Sequence, residues 1–352
     1  MNDHLYFWYS TLKGSSLKKK HQLLENYPVE QLYRMTAKER SHLGLKANKS
    51  FHWERLFEQI KKEGVKVLSY ENGRYPLILK EISDPPLCLF YKGIWENSLF
   101  KRSLSMVGTR KASKNGMQTA HLIAKELAGH DISIVSGLAE GIDGAAHRGC
   151  LEGQGRTAAV LGSGIDVIYP KSNEKLYHSI IEKGGLILSE FLPGTPPLSQ
   201  NFPQRNRIIS GLGYGCIVVE AAEKSGSLIT ASFSLEQGRE VYACPNDLGK
   251  WTAKGSNRLL KEGAKIVTCA QDVVEDLFYV FPQAKELPSV ESEKPVEKKE
   301  EKILCAIERG YQSTEEIVQQ TKIAVEEVRF LLTKLEIKNI VTNSGSYYEK
   351  KQ

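Results

Sequence analysis

The chain has 352 residues, 41% of them hydrophobic and 26% charged, with a formal net charge of +6. That length predicts about two or three domains, and the composition is that of ordinary globular protein. Residues 98–281 carry 20 Lys and Arg against 18 Asp and Glu, a balance of only +2, so a polyanion has to be held by a local pocket rather than by a bulk field.

Six cysteines, at positions 88, 150, 216, 244, 269 and 305, are scattered with no C-x-x-C pair and no His at ligand spacing. They read as small thiols of a reducing compartment, with Cys88, Cys150, Cys216 and Cys305 in apolar strand-like or helical surroundings. The first residues, MNDHLYFWYSTLKG, lack a basic segment followed by a long apolar core, and no run approaches the ~18 apolar residues that span a bilayer. The expectation is a soluble cytoplasmic protein with no membrane contact.

Residues 1–64 read as short helices around an aromatic core, a small helical (SAM-like) domain. Thr36-x-x-Glu39 forms a capping box, and Asn48 is placed to cap a helix bearing Phe51, Leu56 and Ile60 on one face. Residues 65–92 supply KVLSY and LCLFY, expected as edge strands of the sheet that follows. From Leu104 onward, seven apolar runs alternate with helical segments over residues 103–268. Near-continuous hydrophobic strands between amphipathic helices define a parallel sheet covered on both faces. The fold class is therefore α/β, a doubly wound, extended Rossmann-like domain over residues 65–284.

Residues 285–302, KELPSVESEKPVEKKEEK, read as a charged linker. Residues 303–352 predict three helices, with a capping box at Ser313-x-x-Glu316 and Val325, Val328, Leu332 and Leu335 on one face of the third. A closing hairpin with Gly at its tip completes a winged-helix pattern. The third helix carries Arg329, Lys334 and Lys338 against Glu326, Glu327 and Glu336, so it is not electropositive.

Ligands of an open parallel sheet bind outside the C-terminal ends of its strands, which directs attention to the turns there. Gly108-Thr109-Arg110, followed by Lys111, ends the first strand of the steady pattern, with Ser113 placed to cap the next helix. Backbone N–H groups at such a helix start favour an anion, and Arg110 adds a planar phosphate donor. The second turn, Ser136 to Gly144, departs from G-x-G-x-x-G, so no nicotinamide dinucleotide is indicated. Asp143 is placed to cap the following helix, where a carboxylate repels phosphate, and Gly137 lies in what reads as a packed wall; His147 reads as a buried histidine. Tyr169-Pro170-Lys171-Ser172-Asn173 supplies a cation, with Ser172 or Asn173 as a cap. A loop containing Asn201, Phe202, Arg205, Asn206 and Arg207 offers base stacking beside phosphate contacts, the combination used by single-strand sites. Phosphate-loop, zincin, nucleophile-elbow and acidic metal-binding motifs are all absent, so neither a metal nor a cofactor is expected.

Val107-Gly108-Thr109-Arg110, Ser136-Gly137-x-Ala139-x-Gly141-Ile142-Asp143-x-x-Ala146-His147, Leu161-Gly162-x-Gly164, Tyr169-Pro170 with Asn173, Phe202-Pro203-x-Arg205-Asn206-Arg207-Ile208-Ile209, Val219-Glu220-Ala221 and Ser225-Gly226-Ser227-Leu228-x-Thr230 occur in this order. Together they closely resemble the DNA-processing protein A (DprA/Smf) family, over residues 65–275. The resemblance implies a non-enzymatic single-stranded-DNA-binding protein of natural transformation. Such a protein shields incoming DNA, loads the RecA recombinase on it, and dimerises through its Rossmann-like domain. The resemblance also implies that Arg110 and Lys171 serve the basic DNA pocket. One departure is Cys244-Pro245-Asn246 where the family has Pro-Gly, read as tolerated because Asn accepts a left-handed backbone.

Two other classes compete. A phosphoribohydrolase-like enzyme of similar fold carries P-G-G-x-G-T-x-x-E. Aligning its last Gly on Gly215 puts Val219 at the Glu, while Glu220 falls one residue late and, on a strand, faces the other way. A nucleotide-sensing regulator requires a more basic recognition helix than this one.

Overall fold

The computed structural model describes residues 2–47, 51–277, 298–337, 340–343 and 347–350, and the chain forms two compact units, residues 1–283 and 284–352. The first unit opens with five helices, α1 (Asp3–Thr11), α2 (Leu17–Asn26), α3 (Val29–Arg34), α4 (Ala37–His42) and α5 (Trp53–Lys62). The Thr36–Glu39 capping box forms as expected, whereas Asn48 lies outside the described residues. These helices share their core with the sheet: Phe7 of α1 meets Phe90 edge-on at 5.8 Å and clusters with Phe57, Leu161 and Ile187. Their apolar stripes are too small to close on themselves and are completed by the sheet edge.

β1 (Lys66–Ser69), α6 (Leu77–Lys80) and β2 (Cys88–Gly93) follow, and β1 and β2 form the edge strands anticipated from the sequence, their pairing antiparallel. Then come β3 (Ser103–Val107), α7 (Lys114–Gly129), β4 (Ser133–Ser136), α8 (Ile142–Glu152), β5 (Thr157–Val160), α9 (Glu174–Glu182) and β6 (Leu186–Ser189). The unit continues through α10 (Asn201–Gly211), β7 (Gly215–Val218), α11 (Gly226–Glu236), β8 (Glu240–Ala243), α12 (Lys254–Lys261), β9 (Lys265–Ile266) and α13 (Ala270–Leu277).

The sheet order is β1-β2-β6-β5-β4-β3-β7-β8-β9, with β3 to β9 mutually parallel. Succession runs outward from β3 to β6 and then crosses back to β7, so the topological switch lies between β3 and β7, where ligand crevices form. Both faces are covered. Leu104, Met106, Ile134 and Ile217 pack with α7 and α8, and Val107, Val135, Leu188 and Val218 pack with Ile208 and Ala231 of α10 and α11.

The second unit contains α14 (Lys298–Glu308), α15 (Thr314–Thr321), α16 (Val325–Ile337) and the antiparallel pair β10 (Val341–Asn343) and β11 (Tyr348–Lys350). The Ser313–Glu316 capping box is present, and Val328, Leu332 and Leu335 are buried.

Several local expectations are corrected. Lys298 to Lys302, read as linker, are helical; Val325 is exposed, because the core takes Leu331 in its place. Cys305 is exposed whereas Cys244 is buried at the end of β8. The segment from Asn201 to Arg207, read as a loop, forms the first two turns of α10.

Candidate nucleic-acid interface

Above the β3–β7 switch lies a cavity of about 600 Å³, lined in part by Gly108, Thr109, Arg110, Lys111, Phe202, Arg205 and Asn206. Its centre is an aromatic and cationic stack. The Arg110 guanidinium lies 4.6 Å from the Phe202 ring centroid, and Tyr169 packs on the same ring at 5.7 Å and is 40% exposed. Phe202 can lie there because Gly162 has no side chain: a Cβ on Gly162 would stand 2.8 Å from the ring. A ring, a planar guanidinium and a half-open face make a surface on which a base can stack beside a phosphate.

Arg205 behaves differently from Arg110. It is 4% exposed, and its Nη1 donates to the carbonyls of Gly137 and Val160. Burial pulls its pKa down to about 10, opposed by the Asp143 carboxylate, and Arg205 remains a cation at neutral pH. Asp143 is itself buried; desolvation raises its pKa, and Arg205 together with the N–H groups of Ala139 and Gly137 pulls the other way. The expected helix cap is thus corrected. Gly141 occupies the cap position of α8, and the Asp143 carboxylate turns back to the peptides of its own turn. Gly137 has to be glycine, since a Cβ there would stand 2.6 Å from both Arg205 Nη2 and Asp143 Oδ2. Leu138, at φ +56°, is held left-handed in the same turn, a strained conformation of the kind found at binding sites.

The structure also relocates the expected anion position. Ser113 caps α7 through the Gly116 N–H, as predicted. The Ser113 N–H and hydroxyl, however, both donate to Glu220 Oε2, at 3.0 and 2.8 Å. A carboxylate of the chain itself therefore occupies the α7 N-terminus, and Gly116 is close-packed against it. This leaves the exposed Arg110 side chain, rather than the helix end, as the candidate anion donor of this turn. Gly108 lines the cavity, but its lack of a side chain serves packing against Ile142 and the Glu220 carbonyl.

The remaining sequence-predicted residues divide. Lys171 stands just outside the cavity, beyond Tyr169 and Pro170, with its side chain 78% exposed and only a 3.9 Å approach to Glu174. Asn173 takes the cap position of α9 without capping it; its Nδ2 donates to the Leu138 and Ala139 carbonyls, each at 3.0 Å, tying the second turn down. Asn206 lines the cavity but is engaged with Gly226 and Arg205. Arg207 is not brought to the cavity. It is buried against Glu190 and lies 3.0 Å from Asp84. Because 201–207 is helix, Arg205 and Arg207 point to different sides of α10, and one of the two expected cations becomes a structural clamp. Asn246 is not left-handed; its Nδ2 donates to the Val219 and Cys244 carbonyls at 2.8 and 2.9 Å, bridging the ends of β7 and β8. Missing from the sequence-level site are Tyr169 and the start of α11, Ser225, Gly226 and Ser227, which line the cavity. The position of Ser225 to Ser227 after β7, at the switch, and of Tyr169 in the turn that follows β5, was the available signal.

The fold and site define a doubly wound α/β protein with a stacking, cation-edged cavity and an acid-filled first helix end. Residues 66–278 match the family described as DNA recombination-mediator protein A, and the chain belongs to that family. DNA processing protein DprA of Streptococcus pneumoniae is 43% identical over 235 residues, covering 65% of this chain and 82% of that protein. The crystal structure of DprA from the same species superposes with a TM-score of 0.65 at 38% identity, covering 77% of this chain and 95% of that one. A structure of DNA processing protein A from Helicobacter pylori, described for its single-stranded DNA binding mode, superposes with a TM-score of 0.55 at 28% identity, covering 62% and 97%.

Proposed function

We propose that this protein binds single-stranded DNA in the cavity above the β3–β7 switch. In this reading it is a recombination mediator of natural transformation that shields incoming strands and loads RecA on them. The observation that carries the reading is the Arg110–Phe202–Tyr169 stack, an exposed ring and guanidinium over a cavity large enough for a nucleotide. Family membership and the single-strand mode described for the Helicobacter pylori relative support it. Of the predicted residues, Arg110, Lys111, Lys171 and Phe202 contact DNA, while Gly137, Asn173, Arg205 and Asn206 shape the cavity. The proposal includes a cytoplasmic homodimer formed through the Rossmann-like domain, with the 303–352 module as a winged-helix contact domain.

A binding role is further supported by Glu220. It is the carboxylate nearest to the position a phosphoribohydrolase needs, and it is buried and engaged with Ser113. Among the described residues no His, Cys, Asp and Glu cluster is suited to a metal, and no helix is long and apolar enough to cross a membrane. A gel-shift titration with single- and double-stranded oligonucleotides, repeated with RecA and with a nuclease, tests the reading. Preferential single-strand binding, nuclease protection and faster RecA filament formation are expected. Equal affinity for duplex, or release of a free base from a nucleoside monophosphate, overturns it.

A further inference from the structure

A second cationic surface lies beyond the cavity. Between α8 and α9 lies a groove of about 370 Å³, lined by Arg148, Leu151 and Glu152 on one side and Lys175, Ser179 and Lys183 on the other. On α8 the three residues share a face at i, i+3 and i+4; on α9 the spacing is four throughout, and extending it backward reaches Lys171. From Lys175 to Lys183 the cations span ~12 Å of helix rise.

The charge in this groove is uncompensated. Glu152, its one lining carboxylate, is already engaged by His121 at 2.8 Å and Lys125 at 2.6 Å from α7. Arg148 and Lys175 have no ion-pair partner among the described residues, and Lys183 reaches only the Leu151 carbonyl, at 3.4 Å.

The groove is also continuous with the cavity. The Arg148 guanidinium stands beside Asn173, both 3.2–3.3 Å from a Cβ built on Gly144. Ser172 and Asn173 line the groove, and Tyr169 and Pro170 line the hollow under Phe202, so Lys171 stands between the two. The exposed Ser172–Glu140 hydrogen bond, 2.7 Å long, links a groove residue to one that lines the hollow. No aromatic residue lines the groove. It offers charge without stacking, which suits a phosphodiester backbone rather than bases.

We propose that the α8–α9 groove carries the sugar–phosphate backbone of the single strand where it leaves the Arg110 cavity, with Arg148, Lys175 and Lys183 as phosphate contacts. The proposal rests on the single-strand reading of that cavity. Binding by the full chain is compared for oligodeoxythymidylates of about 2 nucleotides, the size the cavity alone holds, and about 20, which reach the groove.

In the Arg148→Ala/Lys175→Ala/Lys183→Ala variant the short oligonucleotide binds as before, which also reports an intact fold. The long one loses on the order of 50-fold at 0.15 M salt, and its log–log salt slope falls by about 2, roughly 0.7 per lost contact. The single reversal Lys175→Glu weakens the long oligonucleotide alone. Unchanged affinity for the long oligonucleotide, or equal losses for both lengths, overturns the proposal. Arg110→Ala separates the two levels. If it weakens both lengths while the triple variant changes neither, the groove assignment fails and the cavity stands. If the native protein binds neither length, both fail.

Discussion

Arg110 and Arg205 both approach the Phe202 ring, at 4.6 and 5.9 Å from its centroid, and they do different work. Arg205 is part of the floor: buried, opposite Asp143, with its donors used on the Gly137 and Val160 carbonyls. Arg110 belongs to the rim, exposed and without an ion pair within 4 Å among the described residues, its pull on the buried Asp143 being weaker than that of Arg205. A basic residue in a binding motif can therefore be spent inside the protein, holding the shape of a site whose free charge comes from elsewhere. The contrast between Arg207, clamped to Glu190, and the exposed Lys171 repeats the lesson one shell further out.

The largest effect expected from this contrast is on the floor. Arg205→Ala leaves the Asp143 carboxylate buried without its cation and costs about 3–5 kcal/mol by chemical denaturation. Arg205→Lys restores little, since a single ammonium cannot reproduce the fork that meets two carbonyls. A variant of native stability that had lost only DNA binding would place Arg205 on the rim instead.

The floor also titrates. His147 is wholly buried, and its Nδ1 lies 2.7 Å from Thr157 Oγ1, whose own proton goes to the Ile134 carbonyl. Nδ1–H is therefore the donor, and burial, aided by Arg148 and Arg205, lowers the imidazole pKa from 6.5 to about 3. Between those values the unfolded chain binds a proton that the folded chain refuses. Stability is thus fully present above pH 6.5 and lost as pH falls, by at most ~1.4 kcal/mol per unit. His147→Asn keeps the donor and flattens that slope in urea titrations across the window; an unchanged slope would show that the histidine is already charged in the fold.

The rim is expected to act on binding alone. Phe202→Ala removes the stacking surface and costs about 1–3 kcal/mol of single-strand affinity. Its melting temperature stays closer to the native value than that of Arg205→Ala, because Phe202 is only half-buried. Arg110→Ala, the mildest change, lowers the salt slope by about 0.7 for every sequence tested and leaves the denaturation midpoint in place. If Arg110→Ala destabilised the protein as much as Arg205→Ala, the distinction between rim and floor would collapse.

Much of this was legible in the chain. Seven apolar runs between amphipathic segments determine a parallel sheet covered on both faces, because no other arrangement buries strands that are hydrophobic on both sides. Short-range chemistry was readable in part: Ser113, Thr36 and Ser313 cap where expected, since a cap depends on residues within one turn, whereas the side chains of Asp143 and Asn173 are drawn to the peptides of the second turn instead. Only the tertiary structure decided which charges remain free. Glu220 lies 107 residues from Ser113, and Arg205 lies 68 from Gly137, yet these contacts fill the α7 N-terminus and consume a guanidinium. Local periodicity carries no information about such pairings. Gly108-Thr109-Arg110 could therefore be read from sequence as a turn at the end of a strand, whereas the filling of the α7 N-terminus beside it, which leaves Arg110 as the candidate anion donor, depended on a carboxylate arriving from beyond β7.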